Sequence, residues 1–111
     1  MDHSSQLLKG VLDMCLLSLI AEEPSYGYEM AAKLKDRGLK LVGDGSIYPT
    51  LSRLQKAGLV EGYFVEVDGS GPPRKYYRIV ADGEHRLRAW AEEWKELSAG
   101  VTAILTGGER E

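Results

Sequence analysis

Cysteine is almost missing from this chain. Cys15 is the only one in 111 residues, so no disulfide can close within it. A reducing compartment, the cytoplasm, is the expectation that follows. A long hydrophobic run is missing too. The apolar stretch from Leu7 to Ala21 is interrupted by Lys9, Asp13 and Ser18. That is too short and too polar for a membrane span, and it does not read as a secretory leader. Histidine is scarce, and neither His3 nor His85 has a metal-ligand partner at useful spacing. No pair of carboxylates sits in an apolar setting that would tune it for acid-base work. Gly43-Asp44-Gly45 and Gly69-Ser70-Gly71 read as turns, without the strand-loop-helix context of a phosphate-binding loop. Catalysis, a metal and a cofactor are therefore not expected.

An excess of positive charge is also lacking, since the formal net charge is −3. Its distribution is more informative than its sum. Between Met30 and Val80 the bases Lys33, Lys35, Arg37, Lys40, Arg53, Lys56, Arg74, Lys75 and Arg78 outnumber the acids Asp36, Asp44, Glu61, Glu66 and Asp68. The acidic excess lies towards the two ends. A basic middle suits a surface that meets phosphate.

Hydrophobic residues make up 43% of the chain and charged ones 28%, as in ordinary soluble domains. Leu8, Val11, Leu12, Cys15, Leu16 and Leu19 follow helical spacing and predict a first helix from about Ser5 to Glu22. Leu7, Met14, Leu17 and Ile20 widen its apolar face, as a helix covered on two sides requires. Pro24 ends it, and Ser25 is the expected cap of a second helix with Met30, Ala31 and Leu34 inward and Gly38 as its stop. A third helix is predicted from Ser46 to Gly58. Stepping about 100° per residue groups Ile47, Leu51 and Leu54 on one face and leaves Tyr48, Pro49, Ser52, Arg53 and Lys56 on the other. Leu59 to Val67 alternates with period two, Asp68 to Pro73 is a turn cluster, and Lys75 to Val80 reads as the returning strand. Asp82 is the expected cap of a last helix reaching about Leu105. Its Leu87, Trp90, Trp94, Leu97, Val101 and Ile104 form a 3-4-3-4-3 seam that a second copy of the chain would cover.

Three helices followed by a hairpin is the order of a winged helix-turn-helix domain, so the expected class is α+β, mainly helical, with a C-terminal dimerisation helix. Residues 1–80 would form the DNA-binding domain, 81–106 the dimerisation helix and 107–111 a loose tail. In this reading the third helix enters the major groove of double-stranded DNA with Ser46, Tyr48, Pro49, Thr50 and Ser52. Arg53 and Lys56 follow for phosphate, and Arg74 and Lys75 flank the duplex from the hairpin. The overall acidity leaves open a winged-helix protein-interaction module instead.

Tyr26-Gly27-Tyr28-Glu29-Met30, the run from Gly45 to Leu54 containing Ile47-Tyr48-Pro49, Gly58-Leu59-Val60, and Pro73-Arg74-Lys75-Tyr76-Tyr77-Arg78 resemble the PadR family of bacterial transcription regulators. The short single C-terminal helix resembles the smaller of its two subtypes. The resemblance implies a winged-helix repressor that binds a roughly palindromic operator through Tyr48, Pro49, Arg74 and Lys75. It also implies a homodimer built from the first and last helices, here Leu8, Val11, Leu12, Cys15, Leu87, Trp90, Trp94, Leu97, Val101 and Ile104. In some members a tryptophan from each subunit stacks a flat hydrophobic ligand at the dimer centre. Trp94 matches that role, with Trp90, Leu8, Val11 and Cys15 as wall residues. Val80 departs from the pattern, standing where relatives carry a helix-capping threonine.

Overall fold

The computed structural model describes residues 3–40, 44–69 and 71–107. Gly43 and Ser70 of the expected turns, and residues 108–111 of the expected tail, lie outside them. The elements in chain order are α1 (His3–Lys9), α2 (Leu12–Glu22), β1 (Ser25–Tyr26), α3 (Gly27–Asp36), α4 (Asp44–Lys56), β2 (Val60–Val65), β3 (Arg74–Ile79) and α5 (Ala81–Leu105). The three strands form one antiparallel sheet in the order β1-β3-β2. Helices α2, α3 and α4 followed by the β2-β3 hairpin make a winged helix-turn-helix, and α5 extends from it.

The expected single first helix is two. Gly10 and Val11 form a turn, their amides donating to the carbonyls of Leu7 (3.2 Å) and Leu8 (3.0 Å), before α2 restarts. Glycine has the weakest helix preference after proline, so the break falls where the sequence resists it least. Ser25 is also not a cap. It is buried as the first residue of β1, opposite Tyr77, and α3 starts behind Tyr26 with no side-chain cap.

Two helices end by the same device. Gly38 (φ 108°) and Gly58 (φ 78°) take the left-handed conformation, and the next amides, of Leu39 and Leu59, reach back to Leu34 (2.8 Å) and Leu54 (3.0 Å). At α5 the first turn includes Asp82, so that residue does not cap the helix; Val80 holds the cap position without a side-chain bond. Gly83 lies so close to the Leu59 carbonyl that no side chain fits between them. This contact seats the root of α5 on the start of the wing.

The core gathers Leu16, Leu17, Ile20, Met30, Ile47, Leu51, Leu54 and Leu59 around α2, which touches α3, α4, β3 and α5. Each buried aliphatic side chain contributes on the order of 1.5–3 kcal/mol. Leu87 and Trp90 pack partly against this core. Beyond them α5 runs on bare: Trp94 is 45% exposed, Leu97 61%, Val101 45% and Ile104 78%. No helix among the described residues is long and apolar enough to cross a membrane.

Candidate nucleic-acid interface

Helix α4 buries Ile47, Leu51 and Leu54 and turns Ser46, Tyr48, Pro49, Ser52, Arg53 and Lys56 outward. Thr50 corrects the expectation. It is 2% exposed and its hydroxyl donates to the Ser46 carbonyl at 2.8 Å, so it faces inward and offers nothing to a base. A threonine at the edge of an apolar face satisfies its hydroxyl on the preceding turn, which lets a polar residue go under.

The two flanks of α4 are tied to different neighbours. On one side the Tyr48 ring lies against Gly27, where an added methyl would meet its Cε1 at 2.7 Å. On the same side Lys75 Nζ donates to Gln55 Oε1 at 3.3 Å, while the Lys75 stem crosses Gly62. On the other side Arg53 Nη2 donates to Asp13 Oδ1 of α2 at 2.8 Å and to Thr50 Oγ1 at 3.2 Å. Arg53 is thus turned towards α2 rather than standing free for phosphate. Lys56, one turn on, has no acidic partner among the described residues.

Arg74 and Lys75 sit on opposite faces of β3. Lys75 shares its face with buried Tyr77 and reaches α4. Arg74 lies on the outer face, its guanidinium 4.6 Å from the centre of the Tyr26 ring. That face carries a ladder in which Tyr76 lies 5.2 Å from Tyr26 and 6.0 Å from Tyr63, with Arg78 over Tyr63 at 4.6 Å. Arginine–ring contacts of this kind contribute about 0.5–1 kcal/mol at exposed sites and restrict the guanidinium's orientation. Tyr48, Arg74 and Lys75 are therefore linked through Gly27, Tyr26 and Gln55. Arg53 belongs to the opposite flank. Gln55 was legible as a flank position, lying close to Tyr48 on the helical wheel. Tyr26 carried no local signal, because its strand is two residues long.

Other bases are committed to the helix-turn-helix itself. Arg37 makes a two-pronged bond to Glu22 (2.6 and 2.8 Å), and Lys33 pairs with Glu23 at 3.1 Å. The Arg37 hydrogen bond holds the Glu22 carboxyl below the usual range, and the carboxylate in turn raises Arg37.

The residues expected at a dimer seam divide. Leu12, 3% exposed, is spent in the chain's own core and is not available to a partner. Leu8, Cys15, Leu87 and Trp90 are partly buried against that core, whereas Trp94, Leu97, Val101 and Ile104 are exposed. The expected ligand wall divides as well. Trp90, Trp94 and Val11 share a cleft of about 510 Å³ with Lys9, Gly10, Asp13, Met14, Arg53, Glu93 and Leu97. Leu8 and Cys15 do not line it. Cys15 opens instead on a small hollow beside Lys33 and Arg37, and burial pushes its thiol pKa up, away from a reactive thiolate. Among the described residues no cluster of His, Cys, Asp and Glu could hold a metal ion.

Residues 16–89 match the sequence model of the transcriptional regulator PadR-like family. A PadR-like transcriptional regulator from Bacillus cereus is 43% identical and superimposes with a TM-score of 0.77 over 90% of this chain and 96% of its own. A PadR family transcriptional regulator from Eggerthella lenta is 35% identical, with a TM-score of 0.78 over 90% of this chain and 86% of that one. A protein of Lysinibacillus sphaericus, described only as uncharacterized, is 32% identical over 95% of this chain and 97% of its own length. The winged helix, the basic flanks of α4 and these likenesses agree, and the chain belongs to the PadR-like family of transcriptional regulators.

Proposed function

We propose that the protein is a sequence-specific repressor that binds a roughly palindromic operator as a two-fold homodimer and is released by a flat hydrophobic molecule. The reading rests chiefly on one observation: the exposed α4 ridge of Tyr48, Pro49, Ser52 and Lys56 is joined to the basic wing through the Lys75–Gln55 bond. Helix and wing then meet DNA as one unit, the helix in the major groove and Arg74 against backbone or minor groove. Residues 1–80 serve as the DNA-binding domain and 81–106 as the dimerisation helix. The bare α5 seam of Trp94, Leu97, Val101 and Ile104 supports a two-fold dimer, whose reading helices would reach half-sites about 34–36 Å apart. The Trp90–Trp94 cleft supports the effector reading, since indoles offer flat apolar surface.

The test is a fluorescence-anisotropy titration on the DNA upstream of the protein's own gene, repeated across salt concentrations. Lys56→Gln is expected to weaken binding and make the log–log salt slope shallower by about 0.9, one phosphate contact. An unchanged slope would remove Lys56 from the interface. Absence of duplex binding even at low salt would favour a protein-interaction module.

A further inference from the structure

Arg53 stands apart from Lys56, the other basic residue of the reading helix, because it already has an anionic partner. Its guanidinium is ordered by acceptors from two elements, Asp13 of α2 at 2.8 Å and Thr50 of α4 at 3.2 Å. Thr50 donates its own proton to the Ser46 carbonyl, which leaves its oxygen free to accept from Arg53. Asp13 lies in the first turn of α2, on the side of that helix that meets α4. Both side chains remain wetted, 58% exposed for Arg53 and 36% for Asp13. An ion pair this exposed is weak and exchangeable. A DNA phosphate, which also offers arginine two acceptor oxygens, can compete for it.

We propose that Arg53 is a conditional DNA contact, held by Asp13 in the free protein, and that Asp13 thereby lowers operator affinity. The inference deepens the DNA-binding reading above and rests on it. It separates two bases one helical turn apart: Lys56 is available to phosphate at once, whereas Arg53 must first leave Asp13. It also gives α2 a direct hold on the reading helix. Asp13 and Arg53 both line the Trp90–Trp94 cleft, and both line a second hollow beside Lys56 and Trp90. The hold is therefore made where the core helix, the last helix and the reading helix meet.

A double-mutant cycle on the full chain tests this. Operator affinity is measured by anisotropy for the wild type, Asp13→Asn, Arg53→Gln and the double variant, with Glu93→Gln and Lys56→Gln as controls. Asp13→Asn is expected to tighten binding by about two- to five-fold, the range set by an exposed ion pair. In the Arg53→Gln background the same change should do little more than Glu93→Gln, which removes a charge from the same cleft without touching Arg53. Equal tightening in both backgrounds would show a long-range charge effect only and overturn the proposal. Weaker binding by Asp13→Asn would overturn it too, because Asp13 would then be positioning Arg53 for DNA. Asp13→Ser, checked for folding by circular dichroism, must show the same pattern. If Lys56→Gln changes the salt slope while the cycle shows no coupling, only this inference fails. If no variant binds duplex, the DNA-binding reading fails with it.

Discussion

Gly27 and Gly83 both sit where a methyl group has no room, yet the obstacles differ in kind. At Gly27 the obstacle is the Tyr48 ring, the exposed end of a side chain that can swing into solvent. At Gly83 it is the Leu59 backbone carbonyl, fixed at the root of the wing. Gly27 is itself buried, but its obstacle can move, so Gly27→Ala is expected to cost less than the roughly 1–3 kcal/mol of overpacking against a fixed neighbour. It should still weaken operator binding, because Tyr48 loses its seat. Gly83→Ala should cost about 1–3 kcal/mol, the usual range for overpacking. Thermal melts read alongside anisotropy check both. A large stability loss at Gly27, or none at Gly83, would contradict this account. Thr50 makes the same point about context, since its hydroxyl is satisfied within its own helix and its polarity does not bring it to the surface.

At the scale of elements, helices α2 and α3 are clamped by the Glu22–Arg37 and Glu23–Lys33 pairs. The Glu22 carboxyl has its folded pKa lowered, first by the Arg37 hydrogen bond. Its contribution to stability is thus present above the pKa of an unfolded glutamate and lost as pH falls through the folded value. The difference in Tm between wild type and Glu22→Gln should be small but measurable near neutrality and should shrink in acid. A difference that grew in acid would reverse the sign and refute the assignment. Much of this layer was legible beforehand. Helical spacing in α2 and α4, the period-two hairpin and the glycine stops at Gly38 and Gly58 are local patterns, and each names its element without outside help. The missed features depend on distant partners. Strand β1 exists only because Ser25 and Tyr26 meet Tyr77 and Tyr76 about fifty positions later. Arg53 finds Asp13 forty positions away, so the charged face of α4 read alone could not show which bases were already engaged. The break at Gly10–Val11 was obscured for another reason: apolar spacing continues across it and masks the glycine.

At the scale of the whole molecule, the chain is elongated, 64 Å in its longest dimension, with α5 extending about 37 Å at 1.5 Å per residue. Trp94, Leu97, Val101 and Ile104 keep one bare line along its outer half. Replacing Trp94 and Leu97 with glutamate is expected to yield monomers in analytical ultracentrifugation, with operator affinity falling as the second half-site is lost. A persistent dimer would place the contact elsewhere. The Gly83 junction adds a geometric condition to such a pairing. Because the Leu59 backbone abuts Gly83, a tilt of the shaft at its root would be passed to the wing. A change of about 5° in the crossing of two such shafts, carried over about 37 Å, moves each reading helix by about 3 Å. That is close to the ~3.4 Å rise of one base pair. The operator's phase would then be tuned at the far end of the molecule, by how steeply two seams cross.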